Sequence, residues 1–222
     1  MDPKTITRIL KNTGMVPVFN HPDPTTAFRV VKACYDAGLH VFEWTNRGNE
    51  ALSVFRQLVK SRGHEFPEMI LGAGSVYDGE TAREFVSFGA DFIVSPVLDP
   101  GLADTCKQLE VLWIPGTGTL TEIYQALKWG ADIIKIFPAQ SIGGPDFVKA
   151  ILGPMPWAQI MPTGGVTPDP DNLKAWFDSG VCSVGMGSKL FTKSLVENSD
   201  PGPLSKKIRQ TLQLIESLRV TN

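Results

Sequence analysis

Eight short apolar runs recur along this chain, each followed by a stretch of helical periodicity, and no other feature narrows the fold as much. The runs fall at 15–19, 40–45, 69–73, 92–95, 111–114, 132–137, 159–163 and 182–186. Helical stretches lie near 25–38, 48–62, 79–89, 100–108, 119–129, 145–152 and 169–179, with a last one at 203–219. Strands apolar on both faces need cover on both sides, which parallel sheets obtain from the crossover helices. Eight such units in 222 residues predict a closed (β/α)8 barrel near the short end of its size range. Residues 4–13, stopping at Gly14, read as a lead-in helix, and Leu204, Ile208, Leu212, Ile215 and Leu218 mark 203–219 as an outer helix. After the His-Pro-Asp-Pro turn, Thr25 or Thr26 is expected to cap the first crossover helix. No linker divides residues 1–222, so one domain is expected.

Composition removes several functional classes. The 21 basic and 23 acidic residues are interspersed, leaving no basic face for nucleic acid. The N-terminus lacks the apolar core of a signal peptide, and no apolar run reaches the roughly 18 residues of a membrane span. A soluble cytoplasmic protein is expected. Cys34, Cys106 and Cys182 read as buried free thiols, and His21, His40 and His64 have no companions at ligand spacing, so a metal-dependent mechanism is not expected.

In a barrel of this kind chemistry gathers at the C-terminal ends of the strands. The sixth run, Ile-Ile-Lys-Ile-Phe-Pro-Ala, carries Lys135 among residues that otherwise read as fully buried. A buried ammonium must find a partner or lose its proton, and a neutral amine is a nucleophile toward carbonyl carbon. Lys135 is therefore a candidate Schiff-base former; a strand-end lysine reaching back to water is the alternative. Alternation turns Ile133 and Phe137 inward with Lys135, and Val41, Glu43 and Thr45 inward on the second strand. Both strands are even-numbered and share interior layers, so Glu43 and Lys135 are expected to face one another, as an acid–base pair or as a structural salt bridge.

Thr163-Gly164-Gly165 and Gly187-Ser188 follow the seventh and eighth runs, where barrels often hold phosphate on backbone amides; ordinary turn chemistry is the alternative. Arg47 can clamp a carboxylate or stay solvated, and Ser75 and Thr163 offer short hydroxyls at strand ends. Met186 would crowd an anion site if it faced inward, and would leave it open if Gly185 and Gly187 do instead.

The motifs Val-Phe-Glu-Trp-Thr-Asn-Arg around Glu43, Gly-Ala-Gly-Ser-Val around Ser75, Val-Ser-Pro at Pro96, Ile-Pro-Gly-Thr at Pro115, Lys-Ile-Phe-Pro-Ala at Lys135, Pro-Thr-Gly-Gly-Val at Thr163 and Gly-Ser at Ser188 together resemble the 2-keto-3-deoxy-6-phosphogluconate / 4-hydroxy-2-oxoglutarate aldolase family. The resemblance spans roughly residues 15–190. It implies a class I aldolase on a (β/α)8 barrel, usually a homotrimer, using no metal or organic cofactor, that cleaves a 2-keto-3-deoxy sugar acid to pyruvate and an aldehyde. By the same resemblance Lys135 would be the Schiff-base lysine and Glu43 the general acid/base. Arg47, Ser75, Pro96, Phe137 and Thr163 would surround the pyruvate half, and Gly164, Gly165, Gly187 and Ser188 would meet phosphate. Asn46, Gly48, Ser75 and Met186 depart from the family pattern; Ser75 keeps the hydroxyl, while Asn46, Gly48 and Met186 leave the particular keto acid open, with 4-hydroxy-2-oxoglutarate as one alternative. Two other activities fit the same residues: a phosphosugar isomerase or epimerase in which Glu43 moves a proton, and a phosphate-ligand binder without turnover.

Overall fold

The computed structural model describes residues 1–220 as an α/β fold around a curled parallel sheet. One ladder runs in the order β5 (Leu112–Ile114), β4 (Phe92–Val94), β3 (Ile70–Gly74), β2 (Val41–Thr45), β1 (Met15–Phe19), β9 (Val184–Met186). A second runs β6 (Gly116–Thr117), β7 (Ile134–Ile136), β8 (Ile160–Pro162), and every pairing is parallel. The expected fifth strand, 111–114, is β5, and the two-residue β6 beyond Pro115 was not foreseen. Pro115 separates them because it has no N–H to give to a ladder, although its carbonyl still accepts from Lys135 N at 2.9 Å.

Four helices start with the same device, an aspartate followed by proline. Asp2-Pro3 opens α1 (Pro3–Thr13), Asp23-Pro24 opens α2 (Pro24–Asp36), Asp99-Pro100 opens α5 (Pro100–Gln108) and Asp169-Pro170 opens α8 (Pro170–Asp178). Each carboxylate accepts from first-turn amides, while proline takes a first-turn position where its missing N–H costs nothing. At α2 this displaces the expected threonine cap: Asp23 accepts from the amides of Thr25 and Thr26 and from the Thr26 hydroxyl. Those bonds, the Thr26 hydroxyl first, hold the Asp23 carboxyl below its usual range.

The crossover helices α3 (Ala51–Glu65), α4 (Gly79–Ser87), α6 (Leu120–Lys128) and α7 (Gly144–Leu152) follow the expected order, and α3 starts later than expected, beyond Gly48 with its positive φ of 82°. A five-residue helix, α9 (Lys193–Glu197), was not foreseen. α10 (Gly202–Val220) packs on α2 and α8, with Leu204, Ile208 and Ile215 buried, as the apolar stripe predicts.

Side-chain alternation splits the core into two layers. Phe42, Trp44, Phe55, Phe85 and Trp176 belong to the outer layer between sheet and helices. Val16, Val41, Ile70, Phe92, Val94, Leu112, Ile114, Ile133 and Met161 fill the inside of the curl, and Ile6 and Leu10 of α1 join them. The expected lead-in helix is therefore the floor of the interior. With that end closed by α1, polar groups in the interior are reached from the C-terminal ends of the strands. Burial pushes the Cys34 thiol up and the Cys106 thiol to about 12, which keeps both protonated and unreactive. Among the described residues no helix is long and apolar enough to cross a membrane.

Candidate active site

Lys135 occupies the middle of β7 and Glu43 the middle of β2, and both side chains turn into the curl above the apolar interior. Of the fates open to a buried ammonium, Lys135 has found a partner: Nζ lies 3.2 Å from Glu43 Oε1, with the residues 6% and 1% exposed. The second carboxylate oxygen, Oε2, is buried and accepts no hydrogen bond. Buried polar atoms are almost always satisfied, so an orphaned carboxylate oxygen beside a lysine marks a place for a water or a substrate hydroxyl. Gly74, paired with Thr45 across the β2–β3 ladder, makes room for this carboxylate; a Cβ there would collide with Glu43 Oε1.

Phe137, just past β7, stands over the lysine with its ring centroid 5.7 Å from Nζ and is 41% exposed. It forms part of the wall of a cavity of about 420 Å³. That cavity brings together Arg47, Phe137, Thr163, Gly164, Gly165, Gly187 and Ser188, all singled out from sequence. Ser75 and Pro96 do not line it, and neither do the buried Lys135 and Glu43, which reach it only by way of the Phe137 wall. Ser75 follows β3 in a left-handed conformation (φ 56°), directly after the Gly74 that accommodates Glu43, and Pro96 follows β4, its backbone packed where Gly116 has no Cβ.

The rim is fixed by outward-facing neighbours. Trp44 points away from the interior and donates its indole N–H to Ala51 O at 2.8 Å, pinning the start of α3. Asn46 N continues the β2–β3 ladder to Gly74 O at 2.7 Å, and Asn20 Nδ2 donates to Arg47 O at 3.1 Å. The Arg47 backbone is tied from two strands while its side chain stays exposed, with no ion pair among the described residues.

On the other side, Thr163 and Gly185 form an isolated parallel bridge between the ends of β8 and β9. Thr163 Oγ1 is buried without a hydrogen-bond partner, and a Cβ on Gly185 would strike it. Gly164 and Gly165 carry φ of 95° and 87°, and Gly165 passes so close to Gln140 that no side chain fits. Met186 is buried in the outer layer with Val184, so Gly185 and Gly187 face the cavity and the bulky residue stays clear of it.

Asn20 and Lys189 also line the cavity, and the sequence reading assigned neither. Asn20 is the first polar residue after β1, and Lys189 continues the Gly187-Ser188 pair by one position. Inspecting the end of every strand, the first included, would have found both.

The family described as KDPG and KHG aldolase matches residues 6–207. This chain belongs to the KDPG and KHG aldolase family. The KHG/KDPG aldolase of Escherichia coli strain K12 is 31% identical over 211 residues, covering 95% of this chain and 96% of its own. The 2-dehydro-3-deoxy-phosphogluconate aldolase of Haemophilus influenzae strain Rd is 30% identical over 207 residues, 93% of this chain and 95% of its own. A crystal structure of KDPG aldolase from Legionella pneumophila, with pyruvate captured at low pH as a covalent carbinolamine intermediate, matches with a TM-score of 0.83 at 25% identity, covering 92% of this chain and 97% of that one.

Proposed function

We propose that this member of the KDPG and KHG aldolase family is a class I aldolase. It reversibly cleaves a 2-keto-3-deoxy sugar acid, foremost 2-keto-3-deoxy-6-phosphogluconate, to pyruvate and glyceraldehyde 3-phosphate. The observation that carries this reading is the buried Lys135–Glu43 pair at 3.2 Å, with Glu43 Oε2 buried and without a hydrogen-bond partner. Transfer of a proton across that contact leaves a neutral amine beside Phe137, the residue that walls the cavity. Nζ then attacks the C2 ketone, and Glu43 returns the proton to the departing hydroxyl as water leaves and the iminium forms. Glu43, again a carboxylate, takes the C4 hydroxyl proton, directly or through a water, as the C3–C4 electrons move into the iminium. The aldehyde departs, the enamine takes a proton at C3, and water releases pyruvate from Lys135.

In this reading Arg47 engages the pyruvate carboxylate, and Ser75, Pro96, Phe137 and Thr163 shape its pocket. Gly164, Gly165, Gly187 and Ser188 receive the phosphate. Incubation with pyruvate and borohydride should leave a reduced adduct on Lys135, located by peptide mass mapping. Protein recovered with no added mass would overturn the Schiff-base mechanism and leave the isomerase reading.

We also propose that residues 1–220, the described part of the chain, form one (β/α)8 domain, cytoplasmic and homotrimeric; residues 221–222 of the expected domain lie outside the described residues. Closure is supported by the Thr163–Gly185 bridge between the two ladders and by Pro115, which joins β5 to β6 along the chain. Trimer formation is supported by exposed apolar side chains after the C-terminal ends of β3, β4 and β6: Tyr77, Val97, Leu120 and Tyr124. Sedimentation should give three times the 24.2 kDa chain mass; a single-chain mass at micromolar concentration would refute the assembly.

A further inference from the structure

The charged side chains lining the cavity, among the described residues, are Arg47 and Lys189, and no carboxylate joins them. They stand at different strand ends, Arg47 after β2 and Lys189 after β9. Neither has an ion-pair partner among the described residues. Two unpaired cations around one cavity match a ligand with two anionic groups.

The backbone of Lys189 is held in place. Leu190 N and Phe191 N both donate to Gly187 O, at 2.9 and 3.1 Å, and the Leu190 and Phe191 side chains are buried. From α10, Lys207 Nζ donates to Lys189 O at 2.9 Å. Burial holds the Lys207 ammonium below its usual pKa, and Lys207 adds a further cation beside the exposed Lys189. A lysine fixed at its main chain and directly following the Gly187-Ser188 pair is well placed to serve an anion held at those residues.

We infer that Lys189 is a specificity-determining residue whose ammonium pairs with the substrate's phosphate, so that discrimination between phosphorylated and unphosphorylated keto acids comes from this side chain as well as from the glycine amides. The identity of the substrate rests on the aldolase reading; the recognition of a phosphoryl group does not. Because Lys189 is exposed, its contribution is expected at the low end for a charge-assisted hydrogen bond.

The test compares wild type, Lys189→Met and Lys189→Arg. Wild type should favour a 6-phosphorylated 2-keto-3-deoxy acid over its unphosphorylated analogue by at least about 100-fold in kcat/KM. Lys189→Met should cut that ratio by about five- to tenfold, through KM and most strongly at low ionic strength, and Lys189→Arg should restore most of it. Inorganic phosphate, titrated calorimetrically in the absence of substrate, should bind Lys189→Met more weakly by the same factor. An unchanged ratio and unchanged phosphate affinity in Lys189→Met would overturn the inference. Phosphate binding that depends on Lys189 in a protein that borohydride cannot link to pyruvate would sustain it while refuting the aldolase reading.

Discussion

Lys135→Met is expected to lower aldol cleavage by more than about 10⁴-fold and to remove the borohydride-trapped pyruvate adduct altogether. The methionine fills nearly the same volume but cannot form a covalent bond to C2, and the loss of an enzyme's nucleophile ordinarily removes almost the whole catalysed rate. The substitution also strands Glu43, 1% exposed, without its counter-ion. Breaking a buried ion pair by deleting one partner costs about 3–5 kcal/mol, a large share of the 5–15 kcal/mol that holds a typical domain together. Lys135→Met alone could therefore lose activity by unfolding. The double variant Lys135→Met/Glu43→Gln removes both charges and should recover much of the urea midpoint while recovering no cleavage. If the folded double variant turned over substrate or still trapped pyruvate, the covalent chemistry would have to reside elsewhere.

Lys135 and Glu43 were legible in sequence because each interrupts a run that is apolar on both faces. Period-two alternation then fixes the side to which a charge in such a run points. The same alternation decided Met186: once Gly185 lines the cavity, its neighbour has to face the helices. Features resting on competition between near neighbours were harder to read. At the start of α2 three cap candidates lie within four residues, and Asp23 prevails because Pro24 is already pre-set for the first helical position and a carboxylate can accept from two amides at once. The division of β5 from β6 depends on which side of Pro115 faces a ladder, and no pattern of apolar residues reports that. Lys189 looks like any solvated loop lysine until the fold brings the ends of β2 and β9, on either side of β1, to one cavity. Ser75 and Pro96 came from motif position alone, and like Lys135 and Glu43 they stand outside the lining of the 420 Å³ cavity.

Glu43→Gln is expected to reduce kcat by about 10²–10⁴-fold while leaving Lys135 able to capture pyruvate slowly, because general acid–base transfer contributes roughly that factor and the lysine keeps its nucleophilic atom. The amide has the shape of the carboxylate and can keep the 3.2 Å contact through its oxygen, but it can neither accept the lysine proton nor return one to a departing hydroxyl. Its NH₂ would occupy the position where Oε2 now lies without a partner, which puts donors in place of an acceptor just where the C4 hydroxyl must give up its proton. Carbinolamine dehydration, C3–C4 cleavage and enamine protonation should all slow together. Exchange of the pyruvate methyl protons in deuterated water should therefore fall in step with cleavage, even though prolonged borohydride treatment still brings the adduct to one per chain. The two variants then divide the chemistry between two atoms: no adduct without the Lys135 amine, and a slow adduct without proton exchange when the Glu43 carboxylate is gone. Wild-type exchange and turnover in folded Glu43→Gln protein would remove Glu43 from the mechanism and reduce its contact with Lys135 to a structural ion pair.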